Sequence, residues 1–183
     1  MPKQVRHDES RVRPYIDPMF QPATLDASSK PAFYADLASS LTGLLGDERD
    51  WVANAANTAA LIYTSLPDLN WAGFYMLKEG ELVLGPFQGL PACIRIALGR
   101  GVCGTAAATL RTQLVTDVHA FPGHIACDAA SQSELVVPLV KDGRLIGVLD
   151  LDSPSLARFD AEDAAGIEKL AAIFMAASDY SGH

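Results

Sequence analysis

Several features are missing from this 183-residue sequence, and each absence excludes a class of protein. There is no run of about 18 apolar residues, so the sequence predicts no transmembrane helix. Residues 1–18 lack the apolar core of a secretory signal, which favours a cytoplasmic location. Acidic residues outnumber basic ones by 22 to 14, giving a net charge of −8. We therefore expect no binding to nucleic acid or to anionic membranes.

Cysteine is scarce, with Cys93, Cys103 and Cys127 the only three in the sequence. An odd number does not suit the disulfide framework of a small secreted domain. No CxxC or HxxxH pair is present to nucleate a zinc site, so we expect no metal. In a reducing compartment, such thiols serve either as buried apolar residues or as redox catalysts.

The chain divides into an extension and one domain. Residues 1–30 mix charge and proline without periodicity, which predicts an N-terminal extension that is poorly ordered or lies on the surface. Residues 31–180 form the predicted domain, beginning with helices over about 33–45 and 48–65. The second helix has a broad apolar face that includes Val52. A closing helix is predicted over about 159–178, with Asp160 as N-cap and Asp163 completing a partial capping box.

Between these helices the pattern predicts strands joined by hairpins. The first two strands, about 70–77 and 81–89, flank a turn. Residues 92–99 alternate as a third strand with Cys93 near its start, and a short helix follows the Gly99–Gly101 loop. Strands are then predicted at about 112–118, 134–140 and 144–153, with a loop over 119–133. The order α-α-β-β-β-α-β-β-β-α predicts an α+β fold with an antiparallel sheet.

The three cysteines lie in different sequence surroundings. Cys127 lies in a long irregular loop of small and polar residues, where it is either a buried apolar residue or a functional thiol. The strand position of Cys93 favours a place in the core. Cys103 follows a glycine loop at a helix start, where backbone N–H groups favour a thiolate.

The acidic residues near the last hairpin form a second pattern. Asp150 and Asp152 alternate along one strand and therefore face the same side. If the hairpin closes, Glu134 on the neighbouring strand approaches them. Three converging carboxylates would need a cationic ligand group to compensate their repulsion. The alternative interpretation is that these acidic residues lie at a strand end that is exposed to solvent. A thiol close to such a cluster suits an amine-bearing ligand and a reaction that consumes protons.

Aromatic residues accompany the first predicted strand. Trp71 and Tyr75 can share a face of the sheet and so form a pocket wall, while Phe74 is expected in the core.

Four segments resemble the free methionine-R-sulfoxide reductases, a family with a GAF domain. They are NWAGFY, LGPFQGLPACIRIALGRGVCGTAAA, DVHAFPGHIACDAASQSELVVPL and GVLDLDS. The resemblance covers about residues 31–180. It implies a GAF-type fold, in which the N- and C-terminal helices pack on one face of a central antiparallel sheet and the ligand pocket lies on the other. It also suggests a homodimer.

The resemblance also implies residue roles. It matches Cys127 to the catalytic nucleophile, Cys93 to the resolving cysteine and Cys103 to a secondary cysteine. The positions that it matches to substrate binding are Trp71, Tyr75, Glu134, Asp150 and Asp152.

The activity that the resemblance implies is reduction of free L-methionine-(R)-S-oxide to L-methionine, without a cofactor. Cys127 would become a sulfenic acid and then form a disulfide with Cys93, which thioredoxin or a similar dithiol would reduce. Glu134 and Asp152 both remain candidates for the proton donor. The rival interpretations are a non-catalytic GAF sensor of a small ligand and a GAF photosensor with a bound tetrapyrrole. A sensor usually adjoins an output domain, for which 183 residues leave no room.

Overall fold

The computed structural model describes residues 25–123 and 129–180, and Cys127 lies outside them. Its helices are α1 (Lys30–Leu45), α2 (Trp51–Ser65), α3 (Gly101–Thr109) and α4 (Ala161–Ala177). Its strands are β1 (Trp71–Lys78), β2 (Glu81–Gly89), β3 (Arg95–Ala97), β4 (Gln113–Val115), β5 (Ser133–Lys141) and β6 (Arg144–Ser153). The predicted order of helices and strands is confirmed. Within the described ranges, no helix has the length and apolarity needed to cross a membrane.

The six strands form one sheet in the order β3-β2-β1-β6-β5-β4, and the pairings between these strands are antiparallel. The long strands β1, β6 and β5 lie at its centre, and β3 and β4 contribute three residues each at the edges. In the central register, Glu134 lies opposite Asp152 and Gly73 lies opposite Asp150. The predicted α+β fold with an antiparallel sheet is therefore confirmed.

Each face of the sheet carries a different layer. On one face, α1, α2 and α4 pack over Phe74, Leu149 and Leu151, which are fully buried. On the other face, α3 packs over a smaller cluster that includes Trp71 and Val148. The alternation along β6 produces this division, because successive side chains of a strand point to opposite faces. The expected packing of the terminal helices on one face is confirmed.

The start of α4 is fixed as predicted. Asp160 caps the helix, and Asp163 completes the capping box. The buried Asp163 carboxylate also accepts hydrogen bonds from Lys30 Nζ at 2.6 Å and Tyr34 Oη at 2.8 Å. These contacts join α4 to α1 behind the sheet, so the helical layer is held together by more than apolar packing.

Several sequence predictions are wrong. The strand predicted over about 112–118 is three residues long, Gln113–Val115. The third strand is three residues long and not eight, because β3 pairs only with residues 81–83 of β2 at the edge of the sheet. Cys93 therefore precedes the strand, and Ile94 and Leu98 are 72% and 41% exposed. In α2, Val52 is 46% exposed, while the polar Asn54 is buried.

The burial of Asn54 has a specific cause. Its side-chain amide donates to Glu48 O at 3.1 Å and to Ser178 Oγ at 3.2 Å, so α2 docks partly through satisfied polar contacts. Apolar periodicity gives no signal for such contacts.

Candidate active site

Three acidic residues lie on the face of the sheet opposite the helical layer. Glu134 on β5 is 7% exposed and Asp150 on β6 is 5% exposed. Asp152 lies opposite Glu134 in the strand register and is half-buried. Two of these carboxyl groups are therefore almost wholly removed from water, and a solvated strand end is excluded for them.

Helix α3 adds the thiol of Cys103 to this acidic cluster. Cys103 is a free thiol, 4% exposed, and its Sγ donates to Glu134 Oε1 at 3.8 Å. Cys103 Sγ and one oxygen each from Glu134 and Asp150 lie within 4.8 Å of one another. We call these three side chains the buried acid cluster.

Burial dominates the protonation of the carboxyl groups. It raises the pKa of Glu134 well above 4.5, and the charges of Asp150 and Asp152 raise it further. Burial also raises the pKa of Asp150 to about 6, although hydrogen bonds from Cys103 and Glu134 oppose that rise. The surroundings therefore favour the protonated form of both carboxyl groups, and of Glu134 most of all.

The same environment keeps Cys103 neutral. Burial raises the pKa of the Cys103 thiol well above 9.0, and the carboxylates of Asp150 and Glu134 add to the shift. The expectation that the start of α3 favours a thiolate is therefore wrong, since desolvation and nearby negative charge outweigh the backbone N–H groups.

An aromatic wall adjoins the buried acid cluster. The Trp71 ring stacks on Tyr75 at 5.8 Å and on Phe87 at 5.2 Å between ring centroids. Gly73 makes this stack possible, because a Cβ there would lie 2.7 Å from the Trp71 ring and would overlap Phe87. Phe74 points to the opposite face and is fully buried in the core, as predicted.

A small cavity of about 10 Å³ lies between the aromatic wall and the acidic residues. Its lining consists of Trp71, Tyr75, Leu90, Pro91, Ala92, Asp150 and Asp152. Among the described residues, Asp150 Oδ1 is buried and has no hydrogen-bond partner. A buried acceptor without a donor is costly, so a donor from a ligand would be bound favourably at this position.

The loop between β2 and β3 covers the cavity and was missed by the sequence analysis. Leu90 O accepts a hydrogen bond from Trp71 Nε1 at 3.2 Å, which fixes the loop to the aromatic wall. The sequence signal that could have shown this is Gly89-Leu90-Pro91, a loop-forming stretch. Cys93 lies in the same loop, is half-buried and takes part in a disulfide.

Cys127 lies outside the described residues, but the segments on either side of it are fixed. Val118 N donates to Gln132 O at 2.9 Å, and Gln132 N donates to Ser153 O at 2.8 Å. The two ends of the 119–131 connection are therefore held together beside β6, next to the acidic residues.

The buried acid cluster also has the composition of a metal site, with one thiol and two carboxyl groups. Metal binding requires deprotonated ligands. Burial raises the pKa of all three groups, so a metal ion would have to displace their protons.

The six-stranded antiparallel sheet has three helices on one face, and α3 with a small acid-lined cavity on the other, an arrangement typical of a GAF domain. The family model described as "GAF domain" matches residues 49–177. The Escherichia coli free methionine-R-sulfoxide reductase is 53% identical over 155 residues, covering 83% of this chain and 94% of that protein. The Saccharomyces cerevisiae free methionine-R-sulfoxide reductase is 47% identical over 151 residues, covering 78% and 84%.

A solved structure also indicates membership of this reductase family. The free methionine-R-sulfoxide reductase of Neisseria meningitidis, determined in complex with its substrate, superposes with a TM-score of 0.82. It is 48% identical, and the match covers 87% of this chain and 95% of that one. The chain therefore belongs to the free methionine-R-sulfoxide reductase family of GAF-domain proteins.

Replacing Asp150 with Asn tests the buried charge. Because the folded pKa of about 6 exceeds the unfolded value of 3.8, this group favours folding at low pH and opposes it above pH 6. Asp150→Asn should therefore raise the free energy of unfolding by up to about 3 kcal/mol near pH 8, with little gain near pH 4. Urea unfolding at both pH values measures this. The control is Asp142→Asn in the exposed β5–β6 turn, and equal effects of the two variants would contradict the assignment.

Proposed function

We propose that this protein reduces free L-methionine-(R)-S-oxide to L-methionine with a cysteine nucleophile. The observation that carries the proposal is the buried pair Glu134 and Asp150 beside the cavity, where burial raises the pKa of both carboxyl groups. Identity of 47–53% to two reductases of that name supports the choice of reaction. A sensor that only binds a ligand has no need of a stored proton.

The negative charge would bind the substrate ammonium. Asp150 Oδ1 is a buried acceptor with no partner among the described residues, and it borders the cavity. An ammonium group would satisfy that oxygen and neutralise its charge, with Asp152 as a second acceptor. Trp71 and Tyr75 would contact the apolar part of the substrate, the sulfur methyl group included.

The stored proton would activate the sulfoxide. Attack on the sulfur transfers the sulfoxide oxygen to the nucleophile, and protonation of that oxygen makes the S–O bond easier to break. Glu134 is the donor that we favour over Asp152, because burial and the neighbouring carboxylates raise the pKa of Glu134 well above 4.5. The charge that develops on Glu134 lies next to the substrate ammonium.

The thiol cycle then follows in balanced steps. Cys127 takes the sulfoxide oxygen and becomes a sulfenic acid, releasing methionine. The Cys93 thiol displaces that oxygen as water and forms the Cys93–Cys127 disulfide. One observation supports this pairing: Cys93 is disulfide-bonded while Cys103 is a free thiol.

The enclosed site favours a free amino acid as substrate. A residue within a protein has no ammonium to offer Asp150, so its entry would leave a buried charge unpaired. The cavity of about 10 Å³ holds roughly one water molecule. Substrate binding therefore requires the cavity to enlarge.

The proposed reaction also indicates where the protein acts and which partners it needs. The cycle consumes a dithiol, so we place the protein in the reducing cytoplasm with thioredoxin or a similar protein as reductant. A homodimer is proposed on the family resemblance.

Substitution of the two cysteines separates their roles. Cys127→Ser should lose methionine-R-sulfoxide reduction altogether, because no other thiol is proposed to attack. Cys93→Ser should still release one equivalent of methionine and then lose thioredoxin-driven turnover. Single-turnover assays and NADPH-coupled assays measure the two steps, with circular dichroism to verify folding. Full activity of a folded Cys127→Ser protein would contradict the mechanism.

Replacing Glu134 with Gln tests the proton donor. The amide keeps the shape but cannot supply an acidic proton, so the single-turnover rate should fall by about 10²–10⁴-fold. The KM for methionine-R-sulfoxide should change much less, since Asp150 remains. Glu168→Gln, an exposed change on α4, is the control. An unchanged rate for Glu134→Gln would show that Glu134 is not the proton donor.

A further inference from the structure

We propose that Phe87 is a positioning residue, which holds the Trp71 ring in the orientation that contacts the methyl group on the substrate sulfur. Phe87 thereby favours a methyl group over a larger alkyl group at that position. The inference rests on the proposed function, because it takes Trp71 as a substrate-binding residue. Among the described residues, the cavity lining includes Trp71 and Tyr75 but not Phe87, so Phe87 acts through the Trp71 ring.

A β-bulge in β2 places Phe87 on the face of the sheet that carries the cavity. Tyr75 lies opposite Leu84 and Gly73 lies opposite Phe87, so β2 contains one extra residue between these two pairs. Leu84 packs into the cluster on the cavity face. Strict alternation from Leu84 would place Pro86 on that face and turn Phe87 towards the helical layer. The extra residue reverses this, as bulges beside functional sites often do.

The sequence of β2 is suited to such a bulge. The residues between Leu84 and Phe87 are Gly85 and Pro86, and both residue types are unfavourable inside a regular strand. Pro86 has no N–H to donate to a neighbouring strand. Its position is tolerated because the register of β2 with β3 ends at Val83, which leaves Pro86 at an edge of the sheet.

The backbone opposite the two rings is cleared by glycine. Gly73 leaves space for both Phe87 and the Trp71 ring. Gly89 lies opposite Trp71, and a Cβ at Gly89 would lie 2.7 Å from that ring. Gly89 also has a φ of +126°, which residues with a side chain rarely adopt. With side chains removed at both positions, the Trp71 ring can lie flat against Phe87.

Phe87 is the closer and more nearly parallel of the two rings that stack on Trp71. The planes of Trp71 and Phe87 differ by 14° and their centroids are 5.2 Å apart, compared with 25° and 5.8 Å for Tyr75. The hydrogen bond from Trp71 Nε1 to Leu90 O holds one edge of the indole, and the Phe87 ring supports its face.

Removal of the Phe87 ring would leave the Trp71 ring free to tilt. Substrate would then bind less tightly, because part of the binding energy would be used to order the ring. A tilting ring would also leave more space around the substrate sulfur. The chemical step would not change, since it depends on the thiol nucleophile and on Glu134.

Single-turnover kinetics with free methionine-R-sulfoxide test the positioning role. Aromatic stacking changes a binding constant by up to about tenfold, so Phe87→Leu should raise the half-saturating concentration about 3–10-fold. The rate at saturation should stay unchanged. Phe87→Tyr keeps the ring and should behave as the wild-type protein. Phe33→Leu is the matched control, because Phe33 is also half-buried and contacts the ring of Tyr34 at 5.3 Å, but lies in the helical layer.

The same assay separates positioning from a purely structural role. A loss of stability alone would lower the rate at saturation, through the fraction of folded enzyme, and would leave the half-saturating concentration unchanged. That result for Phe87→Leu, or equal effects of Phe87→Leu and Phe33→Leu, would overturn the proposal.

A substrate with a larger alkyl group tests the selectivity. Free ethionine-R-sulfoxide carries an ethyl group in place of the methyl group. Phe87→Leu should lower the preference for the methyl over the ethyl substrate, measured as the ratio of kcat/KM, by at least about threefold. An unchanged preference would contradict a role of Phe87 in selecting the alkyl group.

The motion of the Trp71 ring can be measured without any activity. The chain has two tryptophans, so Trp51→Phe leaves Trp71 as the single fluorophore. Adding Phe87→Leu should introduce a fast component into its fluorescence anisotropy decay. If the wild-type enzyme fails to reduce methionine-R-sulfoxide even with dithiothreitol, the proposed function itself is wrong. If the wild-type enzyme is active and the two decays are identical, only the role of Phe87 is overturned.

Discussion

The site depends on two carboxyl groups that lie together out of contact with water. Glu134 and Asp150 come from adjacent strands, are almost fully buried and both lie close to the thiol of Cys103. Two negative charges this close in such surroundings are unfavourable, so the pKa of each carboxyl group is raised. The pair is therefore suited to holding a proton that neither group would keep in water.

The fold supplies the rigidity that such a pair requires. The antiparallel register of β1, β6 and β5 fixes the positions of both carboxyl groups, while the helical layer buries the opposite face of the same strands. Apolar packing behind the sheet therefore offsets the cost of burying polar groups in front of it. The Trp71 stack and the Leu90 loop close the site from the side.

Much of this arrangement could be predicted from the sequence, because it follows from alternation. The positions of Asp150 and Asp152 on one face of β6, and the approach of Glu134 across the hairpin, need only a period of two and a closed turn. The closing helix and its cap were likewise predicted from Asp160 and Asp163. Cys103 was misjudged, because a local rule about helix starts cannot include carboxylates that arrive from distant strands.

Other features depend on contacts that no local pattern encodes. The short β3 and the exposed Ile94 result from the limited pairing of an edge strand, and the buried Asn54 results from partners far along the chain. The covering loop is visible only once β1 and β2 bring Leu90 back over Trp71.

The protonation of Glu134 can be measured directly. Infrared difference spectroscopy of the reduced protein near pH 7.5 detects the C=O stretch of a protonated carboxyl group. We expect such a band in the wild-type protein and in Glu168→Gln, and its loss in Glu134→Gln. A wild-type spectrum without a protonated carboxyl band would show that both groups are ionised and that Glu134 does not store a proton.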